Sequence, residues 1–281
     1  MDVAALKEYY DESRTDYEIV WRLADCHALH AGFHDETTDS HAEAVDNTNR
    51  VLADAIGVGA DDRVLDCGCG VGGSAAWLAA ERDATVHGID VVPMQLADAR
   101  ALARERGVAD RVTLSRQDYA RTGFPDDAFD VCWAVESVCH GREKAAFVAE
   151  AARVLADGGR LVVADAFRTD AARSPADQRA MDRWQDAWAV PNLTTVAEFA
   201  SLLESRGFAA VETREVTGNV MPSARRLYWA SRLLGPLERV LHWVGYRSDA
   251  QTANRKAARY QYETLRDGYW TYAVVTAERP S

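Results

Sequence analysis

A glycine-rich run behind an acidic residue carries the clearest chemical signal in this sequence. Residues 64–74 read VLDCGCGVGGS, so that Gly68, Gly70 and Gly73 follow closely after Asp66. A glycine turn between a buried strand and a helix permits positive φ angles and lets a ligand approach the main chain. The run therefore predicts a nucleotide-like ligand at this turn.

The position of Asp66 distinguishes between two classes of ligand. Gly68, Gly70 and Gly73 also satisfy the G-x-G-x-x-G spacing of dinucleotide sites, but that pattern is weak by itself. A carboxylate just ahead of the first glycine would repel a pyrophosphate, whereas it suits a ligand that carries a cationic ammonium and a sulfonium. The sequence thus predicts S-adenosylmethionine (SAM) as the cofactor, with a dinucleotide-dependent oxidoreductase as an alternative.

Two more acidic residues follow, each at the end of an apolar stretch. Asp90 lies 24 residues after Asp66, where a carboxylate can accept hydrogen bonds from both hydroxyls of a ribose. Asp118 follows the next stretch, where it could accept from an adenine amine. One such acid is usually a turn former or helix cap, but three behind a glycine turn favour a cofactor site. The predicted cofactor-binding residues are Asp66, Gly68, Cys69, Gly70, Gly72, Asp90, Val91, Gln95, Gln117, Asp118, Tyr119 and Val135.

Strand and helix signals alternate after the glycine turn, which is typical of βαβ units and a parallel sheet. Right-handed crossovers would place every ligand-facing loop at the carboxyl edge of that sheet. The predicted strands begin at residue 64 and then cover 86–90, 111–115, 129–135 and 159–165, with 209–216 and 269–276 as a closing pair; the predicted helices cover 75–80, 93–106 and 144–155.

The remaining segments read as helical additions to one structural domain. We expect an N-terminal helical lid over 1–58 and a core over 59–281, with cap segments at about 168–207 and 217–268. Aromatic residues are frequent in these additions, as they are in elements that cover a sheet edge.

Composition excludes several classes of function. The chain has 281 residues, 48% of them hydrophobic, and a net charge of −12 without a basic run, so nucleic acid is not an expected partner. Five cysteines without C-x-x-C spacing suggest reduced thiols in a cytoplasm. No leader or stretch of membrane-spanning length is visible. We expect a cytoplasmic enzyme with a small-molecule acceptor and no membrane span, and a homo-oligomer is left open.

Taken together, the motifs resemble those of the class I SAM-dependent methyltransferases. The resemblance covers roughly residues 60–165 and lies in residues 66–72, Asp90, residues 117–118 and residues 129–131. It implies a Rossmann-like α/β fold with a seven-stranded, mostly parallel sheet of order 3-2-1-4-5-7-6, in which only the seventh strand is antiparallel. It also implies that Asp90 contacts the ribose and Asp118 the adenine.

The loop after the fourth predicted strand, WAVESVCHG over 133–141, resembles that of the sterol, tocopherol and prenyl-diphosphate C-methyltransferases and, more loosely, the cyclopropane fatty acid synthases. An alkene acceptor attacks a methyl group through its π electrons, after which a carboxylate and aromatic faces stabilise the cation and a base removes a proton. Glu136 and His140 are the predicted catalytic residues. The predicted walls of the acceptor pocket are Tyr9, Tyr10, Phe33 and Trp133.

Other interpretations of this loop remain open. Glu136 could merely complement a helix dipole, and His140 could lie at the surface or contact the cofactor carboxylate. The preferred activity is C-methylation of an isoprenoid or related natural product, on a small, largely apolar acceptor. The alternatives are an O- or N-methyltransferase in which His140 is the base, and a SAM-binding protein without catalysis.

Two further residue groups suggest ligands only weakly. His27, His30, His34 and His41 have spacings that would share a helix face, but Gly32 interrupts that helix and no H-E-x-x-H is present, so no metal is expected. The segment 30–34 also resembles the element that covers the cofactor in the same relatives. Three cap arginines could hold an acceptor diphosphate or simply lie exposed, namely Arg183, Arg225 and Arg226.

Overall fold

Apolar runs form a central sheet in the structure, a computed structural model that describes residues 26–233 and 249–281. Four of five positions in the first strand are buried, as are five of seven in the fourth, as expected for parallel strands covered on both faces. The strands are β1 (Arg63–Cys67), β2 (Thr85–Asp90), β3 (Val112–Arg116), β4 (Phe129–Val135), β5 (Leu155–Arg168), β6 (Ala209–Glu215) and β7 (Trp270–Glu278).

The sheet has the order β3-β2-β1-β4-β5-β7-β6. Strands β1 to β5 pair in parallel with their neighbours, whereas β7 runs antiparallel to both β5 and β6. The predicted fold class and strand order are therefore confirmed. Because β7 is reversed, its first residues lie at the same edge of the sheet as the last residues of β1 to β5.

Helices cover both faces of this sheet and also its carboxyl edge. Ser40 caps the first of them in a reciprocal capping box with Glu43. The helices are α1 (His41–Ile56), α2 (Gly73–Glu81), α3 (Pro93–Glu105), α4 (Lys144–Val154), α5 (Pro175–Ala187), α6 (Val196–Ser205), α7 (Thr217–Leu233) and α8 (Asp249–Arg266), with a short 3₁₀ turn at Val138–His140.

The predicted lid over 1–58 is helical only in part. Residues 27–40 form an irregular segment, which we call the strap, and α1 follows it. Residues 1–25, with the predicted pocket residues Tyr9 and Tyr10, lie outside the described part of the chain. The division into lid and core stays a prediction.

Three helices of the predicted cap segments pack together over β7. Helix α8 packs against both α5 and α7, and the rings of Tyr228 and Tyr262 lie 4.7 Å apart between two of them. Trp184 of α5 stacks on Trp270 of β7, with ring centroids 4.6 Å apart. Among the described helices, none is both long and apolar enough to cross a membrane.

Candidate active site

The glycine turn between β1 and α2 is shaped by close contacts that only glycine tolerates. Gly68 has φ +85°, and a Cβ atom there would lie 2.5 Å from Cβ of Ser137. Gly72 also has φ +85°, and its Cβ would lie 2.7 Å from Cβ of Ala99 on α3. The Gly68 amide donates to the Ile89 carbonyl at 2.8 Å, which joins the turn to β2. These contacts fix the turn against its neighbours. Its residues line a cavity at the carboxyl edge of the sheet.

A cavity runs along the carboxyl edge of the sheet from β2 to β7. Four acidic side chains line it, each from the carboxyl-terminal part of one of four adjacent strands or directly after it. Since neighbouring strands lie about 4.8 Å apart, this acidic row spans about 14 Å. From β2 to β5 the row is Asp90, Asp66, Glu136 and Asp165. We call the part at β2, β1 and β4 the cofactor half, and the part at β5, β7 and helices α5, α7 and α8 the acceptor half.

Asp66 is a buried carboxylic acid whose second oxygen lacks a protein partner. The residue is 2% exposed, and within the described part of the chain its Oδ2 atom has no hydrogen-bond partner. Burial, with a smaller contribution from Asp90, raises the pKa of Asp66 to about 7. An ionised carboxylate in this position is unstable without a cation. The ammonium group of SAM would satisfy it, so the site fits the predicted cofactor.

Asp90 fixes the turn and keeps acceptor capacity. Its Oδ2 accepts from the Gly70 amide at 3.0 Å and its Oδ1 from the Val92 amide at 2.8 Å. Burial raises the pKa of Asp90, although these amide bonds oppose the shift. Each carboxylate oxygen has a second lone pair, which leaves Asp90 able to accept from ribose hydroxyls.

Most predicted cofactor residues line the cavity, but two do not. Gly72 lies against α3, where its role is to let two helices approach. The Oδ1 atom of Asp118 accepts from the Ala120 amide at 2.9 Å, so this acid forms a turn and does not line the cavity. Its neighbours Gln117 and Tyr119 do line it. Those that line it are Asp66, Gly68, Cys69, Gly70, Asp90, Val91, Gln95, Gln117, Tyr119 and Val135.

Glu136 lies at the centre of the cavity, directly after β4. Its backbone has φ +46°, and its Oε1 accepts from the Ala31 amide at 2.7 Å and from the Tyr272 hydroxyl at 3.0 Å. Burial raises the pKa of Glu136 to about 7, even though both donors favour the charged form. This carboxyl group therefore joins the strap to β7, and it is not a helix-dipole partner.

His140 lines the cavity from the 3₁₀ turn after β4. Its Nδ1 lies 3.0 Å from the carbonyl oxygen of Ala189, so we assign the proton to Nδ1. The Nε2 atom then carries a lone pair. Burial lowers the pKa of His140, which keeps the ring neutral at pH 7. A neutral imidazole of this kind can accept a proton from a substrate.

Lys144 and Asp165 hold the His140 loop in place. The Lys144 ammonium is buried and donates to the carbonyls of Cys139 at 3.0 Å, Asn192 at 3.2 Å and Gly141. Asp165 accepts from the Cys139 amide at 2.9 Å. Sequence reasoning missed both residues, although Asp165 ends the predicted fifth strand as Asp66 and Asp90 end theirs.

Aromatic and aliphatic side chains form the acceptor half. These walls come from elements that are far apart in the sequence, and the indole rings of Trp184 and Trp270 are nearly parallel, with 24° between their planes. The apolar lining of this half consists of Trp184, Trp188, Val190, Val220, Ala224, Leu227, Leu265, Trp270 and Tyr272.

Two predicted pocket walls belong instead to the core. Trp133 lies two residues before the end of β4, where its side chain is fully buried in the hydrophobic core beneath the cavity. Phe33 is 5% exposed and packs in the core, with the Arg214 guanidinium 5.5 Å from its ring. Neither residue lines the cavity, and both assignments are corrected.

The strap is anchored on several sides, and it contributes to the cavity wall. The Gly32 amide donates to Oγ of Ser223 on α7 at 3.1 Å, and the Phe33 amide donates to the Ala44 carbonyl at 2.8 Å. His30 and Ala31 line the cavity. In the described residues, no group of three or more His, Cys, Asp or Glu side chains is arranged to hold a metal.

Comparisons with known proteins agree with this geometry. Residues 65–163 match the family model described as "Methyltransferase domain". The chain is 32% identical over 234 residues to methyltransferase GfsG of Streptomyces halstedii, covering 82% of this chain and 81% of that protein. It is 27% identical to a probable chloroplastic tocopherol O-methyltransferase of Oryza sativa subsp. japonica, covering 96% and 76%.

A solved structure shows that the likeness extends over nearly the whole fold. The crystal structure of the [4+2]-cyclase SpnF superposes with a TM-score of 0.78 at 25% identity, covering 98% of this chain and 95% of that one. That protein is named for a cyclisation, so on this fold the activity must be argued from the site.

Proposed function

We propose that this chain, which belongs to the class I SAM-dependent methyltransferases, methylates a hydroxyl oxygen of an uncharged, largely apolar acceptor. In this proposal His140 is the general base. Asp66 and Asp90 bind the cofactor, and the row of aromatic side chains at β5 and β7 binds the acceptor.

The cofactor half supplies the groups that a SAM molecule needs. When bound, SAM supplies an electrophilic methyl group on a sulfonium. Asp66 offers an unpaired buried oxygen to the ammonium, and Asp90 offers lone pairs to the ribose. Gln117 and Tyr119 line the cavity beyond Asp90 and are candidates for the adenine. These residues would hold the cofactor so that its methyl group is aligned and water is excluded, and alignment of this kind accounts for much of the acceleration in an in-line displacement.

The observation that carries the oxygen assignment is the 3.0 Å contact between Nδ1 of His140 and the Ala189 carbonyl, from which we assign the tautomer. Its Nδ1 proton is held by the Ala189 carbonyl, so Nε2 is the basic atom of a ring that burial keeps neutral. An alcohol or phenol must lose its proton as it attacks, and a positioned base of this kind contributes about 10²–10⁴-fold. An alkene needs no base before it attacks.

The charge of the cavity favours an uncharged acceptor. Four carboxyl groups line it, whereas no lysine or arginine among the described residues does so. Arg183, one candidate for holding a diphosphate, donates to the Tyr260 hydroxyl at 2.9 Å and is not part of the lining. A diphosphate would meet the acidic row without a counter-charge.

C-methylation of an isoprenoid is the second candidate, and the stacked Trp184 and Trp270 favour it. Indole faces stabilise a cation within about 6 Å of the ring. Glu136 could then balance a carbocation when ionised, although its pKa of about 7 makes it only partly charged at neutral pH. The preferred O-methylation needs no such charge.

Labelled methyl transfer distinguishes these activities. The protein is incubated with methyl-labelled SAM and a panel of hydroxylated aromatics, terpenoid alcohols, unsaturated terpenes and prenyl diphosphates, and the labelled atom is located by NMR. Label on oxygen supports the proposal, and label only on carbon or nitrogen contradicts it. His140→Ala should lower the rate of O-methylation by about 10²–10⁴-fold, whereas Glu136→Gln should lower the rate of C-methylation. Binding of S-adenosylhomocysteine without any product would favour a non-catalytic protein.

A further inference from the structure

We infer that the acceptor carries a hydroxyl at the end remote from its methylated atom, bound by the indole N–H of Trp184 and the side-chain amide of Gln261. The inference rests on the proposed function, because both residues line the acceptor half of the same cavity.

Trp184 presents a buried donor that has no protein acceptor. The residue is 2% exposed and lines the cavity, and its Nε1 has no hydrogen-bond partner in residues 26–233 and 249–281. The indole of Trp270 is different, because its Nε1 donates to Oγ1 of Thr264 at 3.1 Å and to the Gln261 carbonyl at 3.3 Å. Buried donors are rarely left without an acceptor, so the Trp184 N–H points to an atom of the ligand.

Gln261 presents the complementary acceptor. Its Oε1 atom is buried and, like the Trp184 nitrogen, lacks a partner among the described residues. Both residues adjoin Trp270: the Trp184 ring stacks on it at 4.6 Å, and the Gln261 main-chain carbonyl receives its N–H. A hydroxyl both donates and accepts, so one hydroxyl can satisfy both groups, whereas an ether or carbonyl can satisfy only the Trp184 donor.

The position of this pair sets the approximate length of the acceptor. Glu136 and His140 follow β4, whereas Trp270 begins β7, two strands away in the sheet. Two strand spacings amount to about 10 Å. The reacting atom and the remote hydroxyl are therefore on opposite ends of the acceptor, with the apolar lining between them.

Such a pair would make the enzyme discriminate against an acceptor with an apolar remote end. That acceptor would leave Trp184 and Gln261 desolvated without partners, and sites built to bind a hydroxyl reject the analogue that lacks it.

Two rigid probes test this directly. 2,6-Dihydroxynaphthalene and 6-methyl-2-naphthol share one hydroxyl and differ only at the far end. Their Kd values are measured by calorimetry with the full chain saturated with S-adenosylhomocysteine. We expect the diol to bind at least about 10-fold more tightly to the wild type. Trp184→Phe and Gln261→Leu should each reduce that ratio to about 2–3-fold without weakening 6-methyl-2-naphthol.

Trp77→Phe is the matched control, since Trp77 lies on α2 and does not line the cavity. It should keep the wild-type ratio. Equal affinities in the wild type, a ratio unchanged in both variants, or no binding of either probe would overturn the inference. A different outcome would separate the two claims. If the two variants reduce the Kd ratio as expected but the naphthols are not O-methylated from SAM, the proposed function is contradicted and the remote-hydroxyl inference stands.

Discussion

The two halves of the cavity are built in different ways. The cofactor half takes its acids from the ends of β1 and β2 and from the loop after β4, all within residues 66–136. The acceptor half takes its walls from α5, α7, α8 and β7, which are spread over residues 175–278. One half is therefore fixed by short motifs in a parallel sheet, whereas the other exists only after distant helices have packed together.

The halves also differ in polarity. Asp66 and Asp90 give the cofactor half two buried carboxyl groups with raised pKa values, whereas indole rings and aliphatic side chains dominate the acceptor half. Glu136 and His140 lie at the boundary, where a methyl donor from one side would meet an acceptor from the other. Substitutions in the two halves should therefore change different measured quantities.

Removal of the base at the boundary should have the largest effect. His140→Ala is expected to lower kcat/KM for O-methylation by about 10²–10⁴-fold, because it removes the Nε2 lone pair that takes the proton. The Kd for SAM, measured by calorimetry, should stay within about 2-fold, since the cofactor half is untouched. The wild-type enzyme should retain O-methylation activity below pH 6.5, because burial lowers the pKa of His140 and so keeps the base neutral there. A loss of SAM binding in the variant would show that the two halves are not separable.

Asp90 and Asp118 provide a matched pair within the cofactor half. Asp90→Ala should weaken SAM binding by about 10²-fold, which corresponds to two lost charge-assisted hydrogen bonds at ~1.5 kcal/mol each. Asp118→Ala should change the Kd by no more than about 3-fold, because Asp118 forms a turn outside the cavity. Equal losses in the two variants would restore the adenine role that the sequence suggested for Asp118.

The stability of the ligand-free protein should fall as pH rises from 5 to 8. Asp66 has a folded-state pKa of about 7, raised above its unfolded value near 4. Between these values the folded state holds a proton that the unfolded state has released, so stability is lost as pH rises toward the folded pKa. The loss is on the order of a few kcal/mol for this group. Urea unfolding at both pH values measures it. Asp66→Asn should reduce the dependence and leave the part due to Glu136, whose pKa is also about 7; an unchanged slope in that variant would contradict the assignment.

Tyr272→Phe should have the smallest effect of the four. It removes one hydrogen bond to Oε1 of Glu136 while the Ala31 amide still holds that oxygen. We expect a loss of about 1 kcal/mol in unfolding free energy and a decrease in kcat of about 3–10-fold, which corresponds to the same energy. The KM for SAM should not change. A decrease in kcat beyond about 100-fold would give Tyr272 a direct role in the chemistry.

The sequence predicted most residues that line the cofactor half, because they follow one another at strand ends. The sheet order was confirmed, and ten of the twelve predicted cofactor residues line the cavity. Asp118 does not line the cavity, and its contact with adenine stays a prediction, because an acid after a strand also forms turns and the local sequence is the same in both cases. Trp184 and Tyr272 could not be predicted, since aromatic residues in a helix or strand are more often core than ligand contacts. Gln261 is a single polar residue in a helix, without a motif around it. Trp133 and Phe33 are the opposite case, because they were predicted as pocket walls and belong to the core.

The most direct test of the account is the number of protons released when SAM binds. Calorimetry at pH 7 in two buffers of different ionisation enthalpy measures it for the wild type and for Asp66→Asn. Because the pKa of Asp66 is about 7 in the ligand-free protein, an ammonium placed beside it should release about half a proton, and affinity should weaken below pH 7. Asp66→Asn should release about half a proton less than the wild type on binding SAM. Identical proton release in the two proteins would contradict the claim that Asp66 binds the cation of the cofactor.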